Sequence, residues 1–315
     1  MTAVPYKGSP IFNEDGTFRK EDDKVQGRSY SSNLTKLLKQ LPKLQNLQEG
    51  KKASPVMAHI SLTNACNLTC SFCCFANRDI SEKMPTEKVF QALESFKAIG
   101  VTGVEFTGGG EPSIHPDFKA IVQYAKDLGF SLGICTNGAR FGANRAIKKD
   151  IVELFDWVRL GMYGFYEGYE YDLSVFEGTN CKPSAAYVWD ENLETSKNPN
   201  ITGEWSDVKN KRVLSKKFQT TENFIRMLDW VEENQIPCRI AFNAIKDVKE
   251  TEKDIETIRG IIEAYEKDRG RKMKSAFLSD FNFKGERRND HCYMHMVKPF
   301  LFTDGYVYAC PSAEL

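Results

Sequence analysis

The sequence has no net charge to speak of: 43 Lys and Arg offset 43 Asp and Glu over 315 residues. That balance excludes a strong global pull toward nucleic acid or anionic membrane and leaves such work to local patches. No apolar run approaches the ~18 residues of a membrane-spanning helix. The opening Met1–Pro10 stretch lacks a signal-peptide core, and no internal repeat is evident. Nine cysteines are an odd number. With three of them in one short loop, they argue for reduced thiols and a cytoplasmic setting rather than a disulfide framework. The length suits one large barrel or two modest domains, with enough apolar content for a sizeable core.

What is present is concentrated. Cys66, Cys70 and Cys73 stand in the run Cys-Asn-Leu-Thr-Cys-Ser-Phe-Cys, directly after the apolar stretch Val56–Leu62. Three soft ligands on one loop can hold three irons of a [4Fe–4S] cluster and leave the fourth open to a chelating small molecule. A structural zinc site is the competing reading, but zinc usually closes with a fourth ligand. Cys74 directly follows Cys73 and would have to point elsewhere. Thirty-eight residues beyond Cys73 comes Glu111, in Thr107-Gly108-Gly109-Gly110-Glu111-Pro112, at the end of another apolar run. Bare glycine backbone lets a ligand approach closely, and carbonyls with a carboxylate can accept hydrogen bonds from an ammonium group. Cys135-Thr136-Asn137-Gly138 closes a third such run; Cys135 reads as a strand residue.

These motifs and their spacing resemble the radical S-adenosylmethionine (SAM) superfamily. The resemblance implies a [4Fe–4S] cluster on Cys66, Cys70 and Cys73, with SAM on its open iron and beside Gly108, Gly109, Gly110 and Glu111. It further implies cleavage of SAM to methionine and a 5′-deoxyadenosyl radical that abstracts hydrogen from a substrate. A reductant such as flavodoxin or ferredoxin would serve as partner. Thr136 and Asn137 look like a third SAM-side turn, the alternative being a plain Asn-Gly turn. Asn243 matches a polar position near the SAM ribose in relatives. Arg159–Tyr163 departs from the Ser-Leu-Asp-like triplet often found at that place. The tail, with Cys292, Gly305 and Cys310, resembles the opening of a SPASM or twitch extension. It leaves three readings: an auxiliary Fe–S cluster recruiting Cys181 or Cys238, a zinc site with His291 or His295, or a metal-free hairpin Phe300–Ala309 capping the barrel. Cys181 is also a candidate hydrogen-atom donor.

Six β-type runs alternate with amphipathic helical stretches. Strands are expected at Met57–Thr63, Gly103–Thr107, Ser131–Thr136, Trp157–Met162, Cys238–Ala244 and Ser275–Ser279. Helices are expected at Asn33–Leu47, Thr86–Ile99, Pro116–Leu128, Ala146–Phe155, Thr221–Asn234 and Glu250–Lys267. The pattern predicts an α/β fold, a partial (β/α)6 TIM-type barrel with right-handed crossovers and ligands at strand C-terminal ends. Residues 1–55 read as an N-terminal helical extension, 56–285 as the barrel and 286–315 as a short SPASM-like cap. The aromatic, then basic, segment 164–220 reads as a substrate-facing insertion. A peptide-borne amino acid is the first substrate class. A nucleotide or nucleic-acid base is the second, on basic clusters at 209–217, 267–274 and 284–288 that would share one rim, and a small metabolite is the third. No membrane partner is expected.

Overall fold

The computed structural model describes residues 40–68, 70, 73, 75, 78–162, 171–189, 221–242, 248–278 and 297–309. Seven parallel strands follow one another in sequence: β1 (Met57–Ile60), β2 (Gly103–Phe106), β3 (Ser131–Thr136), β4 (Trp157–Gly161), β5 (Lys182–Trp189), β6 (Cys238–Phe242) and β7 (Ala276–Leu278). A terminal hairpin, β8 (Phe300–Leu301) and β9 (Val307–Tyr308), extends the sheet. β8 pairs parallel to β1 and β9 antiparallel to β8. The order is β7-β6-β5-β4-β3-β2-β1-β8-β9, with no pairing between β7 and β9, so the sheet stays unclosed. Among the described residues, no helix is long and apolar enough to cross a membrane.

Side-chain alternation sorts the two faces of the sheet. One face carries Ile60, Val104, Phe106, Leu132, Ile134, Val158, Leu160, Tyr187 and Ile240, all buried in the core. Against it lie helices whose apolar residues recur at helical spacing. α2 (Thr86–Ala98) buries Val89, Leu93 and Phe96, and α3 (Phe118–Asp127) buries Phe118, Ile121, Val122 and Ala125. The short α4 covers Lys149–Val152, and α5 (Thr221–Glu233) buries Phe224, Met227, Leu228 and Val231. α6 spans Val248–Arg269, and α1 (Leu41–Gln48) overlaps the second half of the expected N-terminal helix. The opposite face carries His59, Glu105, Cys135, Arg159, Ser184 and Arg239, an unusually polar set for a parallel sheet, which is normally buried on both sides. That polarity marks the inner face as a site.

All six expected strands are present, β3 with the expected bounds, and the structure adds a seventh. β5 lies inside the segment 164–220 expected to be an insertion, so the break in alternation is smaller than the sequence suggested. Tyr187 and Trp189 of β5 are buried against Phe224 at ring-centroid separations of 5.4 and 5.3 Å, which makes them core residues rather than parts of a lid. Between β4 and β5 the described connection contains only a 3-10 turn, Ser174–Phe176.

Candidate active site

The cysteine loop leaves β1, the glycine turn leaves β2 and the Thr136–Asn137 turn closes β3. All three converge on one cavity of about 360 Å³ at the C-terminal edge of the sheet. Its lining includes Cys66, Cys70, Cys73, Gly108, Gly109, Gly110, Glu111, Thr136 and Asn137. The far wall is Arg159 and Gly161 of β4, Ala186 and Val188 of β5, and Arg239 of β6.

The loop and the glycine turn are interlocked through backbone. Gly110 N donates to the Thr63 carbonyl at 2.7 Å, and Glu111 N donates to the Ala65 carbonyl at 2.8 Å. At Gly109, which has φ of 56°, a Cβ would lie 2.6 Å from Asn64 Oδ1 and 2.9 Å from the Thr63 carbonyl oxygen. A positive φ and a wall of oxygens together demand glycine there. The ring of Phe300 fills the space that a side chain on Gly108 would need.

Glu111 is buried and hydrogen-bonded through both carboxylate oxygens. It accepts from Ser113 N, Ser113 Oγ, Thr136 Oγ1 and Asn137 N at 3.2, 2.6, 2.7 and 2.7 Å. Burial pushes its carboxyl above the usual range, and these hydrogen bonds pull in the opposite direction. The sequence reading had this carboxylate facing a ligand ammonium group. In the structure it ties the second turn to the third and also lines the cavity beside the backbone of the glycine turn.

The thiols have polar company of their own. Leu68 N donates to Cys66 Sγ at 3.5 Å, Asn137 Nδ2 approaches the same sulfur at 3.9 Å, and Arg78 donates to Cys73 Sγ at 3.4 Å. The Arg78 guanidinium is held by the carbonyls of Asn64 and Phe75. Burial pushes Cys66 and Cys70 up, and for Cys70 the neighbouring thiols add to the shift, so ligation requires proton release. No group of three His, Cys, Asp or Glu side chains among the described residues is gathered closely enough for a single metal ion. All three cysteines line the one cavity, and hydrogen bonds to sulfur of this kind are those that tune iron–sulfur clusters. The donor set fits a three-cysteine cluster.

Below the cavity lies a polar floor that the sequence reading missed. His59 Nε2 meets Glu105 Oε2 at 2.9 Å, Lys298 Nζ stands 3.9 Å from the same oxygen, and Cys135 Sγ donates to Glu105 Oε1 at 3.3 Å. Burial alone would raise Glu105, but the His59 ring, Lys298 and Arg159 outweigh it and hold the carboxyl well below the usual range. Cys135 is pushed up to about 11 by burial and the Glu105 charge, so it stays a thiol at neutral pH. The Trp157 ring occupies the space left by the missing side chain of Gly133, and the Arg159 guanidinium sits 5.4 Å from its centroid. A charged residue inside the apolar run Gly103-Val-Glu-Phe106 was the available signal.

Other expectations are corrected. Cys181 precedes β5, at the opposite end of the sheet from the cysteine loop and near Asp156, and burial pushes it up to about 12. It cannot quench a radical in this cavity. Cys238 is fully buried with its Sγ 3.8 Å from Met227 Sδ, facing the helices, so it is no ligand for a tail cluster. The basic cluster 267–274 joins the end of α6 to the start of β7, again opposite the cavity. There Arg269 pairs with Asp229 and Lys272 with Glu266. Asn243, Tyr163, Cys74, His291, Cys292, His295, Cys310 and the clusters 209–217 and 284–288 lie outside the described residues.

The comparisons agree with this geometry. Residues 60–169 match the model of the Radical SAM superfamily. An S-adenosylmethionine-dependent nucleotide dehydratase of Selenomonas ruminantium is 33% identical over 98 residues, which cover 31% of this chain and 35% of the relative. The mycofactocin maturase MftC of Mycobacterium ulcerans is 31% identical over 119 residues, 36% of this chain and 32% of the relative. The matches thus span about a third of these relatives' lengths. The crystal structure of Streptococcus suis SuiB bound to precursor peptide SuiA superimposes with a TM-score of 0.54 at 17% identity, covering 90% of this chain and 69% of SuiB, a likeness of fold. Residues 60–169, the segment that holds the three cysteines and both turns, thus match the Radical SAM superfamily.

Proposed function

We propose that this chain is an enzyme that reductively cleaves SAM and abstracts hydrogen from a substrate C–H bond, most simply one on a peptide-borne amino acid. The observation that carries the reading is the convergence of three thiols, a glycine turn and the Thr136–Asn137 turn on one cavity. Cys66, Cys70 and Cys73 would hold a [4Fe–4S] cluster, which when bound would supply the electron for reductive cleavage of SAM. The chain's own residues bind and shield. Arg78, Asn137 and the Leu68 amide fix the sulfurs, and Gly108–Gly110 offer bare backbone to the methionine end of SAM. The floor of Trp157, Arg159, Cys135, Glu105 and His59 closes the cavity from below and keeps water from a reactive alkyl radical. The apolar patch of Gly161, Ala186 and Val188 leaves room for a substrate at contact distance.

The peptide reading draws support from the shared fold with SuiB, whose structure contains a precursor peptide, and from an unclosed sheet that suits a substrate carried on a larger chain. A nucleotide substrate is the second reading, favoured by the S-adenosylmethionine-dependent nucleotide dehydratase among the relatives. The reductant is a low-potential electron carrier such as flavodoxin or ferredoxin. Three of nine cysteines in one cluster-binding loop support a reducing, cytoplasmic setting.

The test is anaerobic reconstitution followed by SAM and dithionite, with mass spectrometry of the products. Wild-type protein should form 5′-deoxyadenosine slowly even without substrate, and replacing Cys66, Cys70 and Cys73 together with Ala should abolish it. Continued SAM cleavage by the triple variant would sink the assignment.

A further inference from the structure

We propose that Arg78 sets the reduction potential of the cluster bound by Cys66, Cys70 and Cys73, by holding a permanent positive charge against the Cys73 sulfur. This rests on the function proposed above and adds the residue that regulates its electron uptake.

Arg78 follows the thiols in the same loop, is half-buried and lines the same cavity. Its guanidinium is held by backbone from both ends of that loop. Nε donates to the Asn64 carbonyl at 2.7 Å, and Nη1 donates to the carbonyl of Phe75. Asn64 is itself pinned, its backbone N–H donating to the Glu82 carbonyl and its Nδ2 to Glu82 Oε2, both at 2.9 Å. From this seat Nη1 reaches Cys73 Sγ at 3.4 Å. Its hydrogen-bond partners among the described residues are thus neutral carbonyls and a sulfur, with no carboxylate to cancel the charge.

The other donors to sulfur differ in kind. The Leu68 amide and Asn137 Nδ2 approach Cys66, and neither carries a net charge. The Arg78 charge also reaches beyond Cys73. Burial pushes the Cys66 and Cys70 thiols up, and the guanidinium works against that shift at both, while Glu111 adds to it at Cys66. Three thiolates already concentrate negative charge in this small volume, and reduction adds one electron more. A fixed cation at short range stabilises the reduced state more than the oxidised one, and partial burial limits its screening by salt. A hydrogen bond to ligand sulfur is a recognised lever on the same potential. The electron comes from the low-potential carrier, which is oxidised in the step. Arg78 exchanges no proton, because a guanidinium stays charged at every accessible pH.

The experiment measures the midpoint potential of full-length, anaerobically reconstituted protein without SAM, by a redox titration followed by electron paramagnetic resonance, with iron content determined in parallel. Arg78→Gln should disfavour reduction about tenfold, a downward shift of ~59 mV for one electron. Arg78→Lys, which keeps the charge and loses the planar fork, should fall between it and wild type. Lys83→Gln, which removes an exposed charge from the same segment, should titrate as wild type. A residue that only clamps the loop would lose iron in Arg78→Gln while the retained clusters kept the wild-type potential, and that result overturns the proposal. So does a shift in Arg78→Lys or Lys83→Gln as large as that in Arg78→Gln, or failure of both Arg78 variants to hold a cluster that wild type holds. Where only the lysine variant holds one, a downward shift supports the proposal and an unchanged potential overturns it. Absence of a cluster from wild type, by contrast, overturns the function proposed above, so the two failures are told apart.

Discussion

Replacing Gly110 by Ala should separate the glycine turn from the cysteine loop, and the size of the effect follows from the structure. A Cβ at Gly110 would lie 2.5 Å from the Ala65 carbonyl carbon and 2.6 Å from that of Asn64. Both neighbours are backbone, so no side chain can swing aside. The Ala65 carbonyl oxygen lies closer still, so the turn must retreat by more than the ~0.9 Å that the carbonyl carbon alone would demand to reach the 3.4 Å at which ordinary contact begins. That movement stretches the 2.7 Å bond from Gly110 N to Thr63 and the 2.8 Å bond from Glu111 N to Ala65 beyond useful length. Two backbone hydrogen bonds are worth about 1–3 kcal/mol net, and alanine returns ~0.4–1 kcal/mol by restricting the unfolded chain. The expected loss is therefore about 0.5–2 kcal/mol in urea unfolding. The functional cost should be larger, because Ala65 is covalently joined to Cys66. Iron retained after reconstitution and desalting should fall severalfold. A Gly110→Ala protein with an unchanged urea midpoint and full iron content would refute the interlock.

Two further outcomes follow. Glu105 has a folded pKa below its unfolded value, so its stabilising contribution is present above about pH 4.5 and is lost as pH falls through the folded pKa; Glu105→Gln should flatten the acid limb of urea midpoint against pH, and an identical acid limb would show that the His59–Glu105 pair does not control it. Phe302→Ala, which removes a fully buried ring, should cost about 3–5 kcal/mol and speed iron loss to a chelator; Phe302→Leu should recover most of both, and iron loss at the wild-type rate in the Ala variant would show that the hairpin does not brace the cysteine loop.

The cofactor side of the site was legible in sequence because it is local. Cysteines at short spacing, glycines at a strand end and an Asn-Gly turn each lie within a few consecutive residues. The substrate side was not. Arg239 was one basic residue in an apolar run, and only the register of β5 with β6 sets it level with Gly161 and Ala186. β5 itself was hidden because Tyr187 and Trp189 are equally at home in a core and on a binding surface, and only packing against Phe224 decides. His59 and Glu105 come from different strands, and a pairing across 46 residues leaves no local trace. Strand ends, by contrast, were placed within a few residues because turn glycines punctuate them.

The terminal hairpin bears on how the protein is made. Phe75, two residues after Cys73, lies 6.4 Å from Phe300 and 5.6 Å from Phe302 by ring centroids, and Phe300 also meets His59 edge-on at 5.7 Å. Thr303 reaches Glu82, which also accepts from Asn64 at the base of the cysteine loop. These bracing residues lie more than two hundred positions downstream of Cys73. At a synthesis rate of ~5–20 residues per second, the cysteine loop leaves the ribosome about 10–45 s before its aromatic cover. During that interval the three thiols stand without their brace, open to an iron–sulfur donor and equally to oxidants. Cluster insertion on the nascent chain would use that window, and pairing of β8 with β1 would then close it.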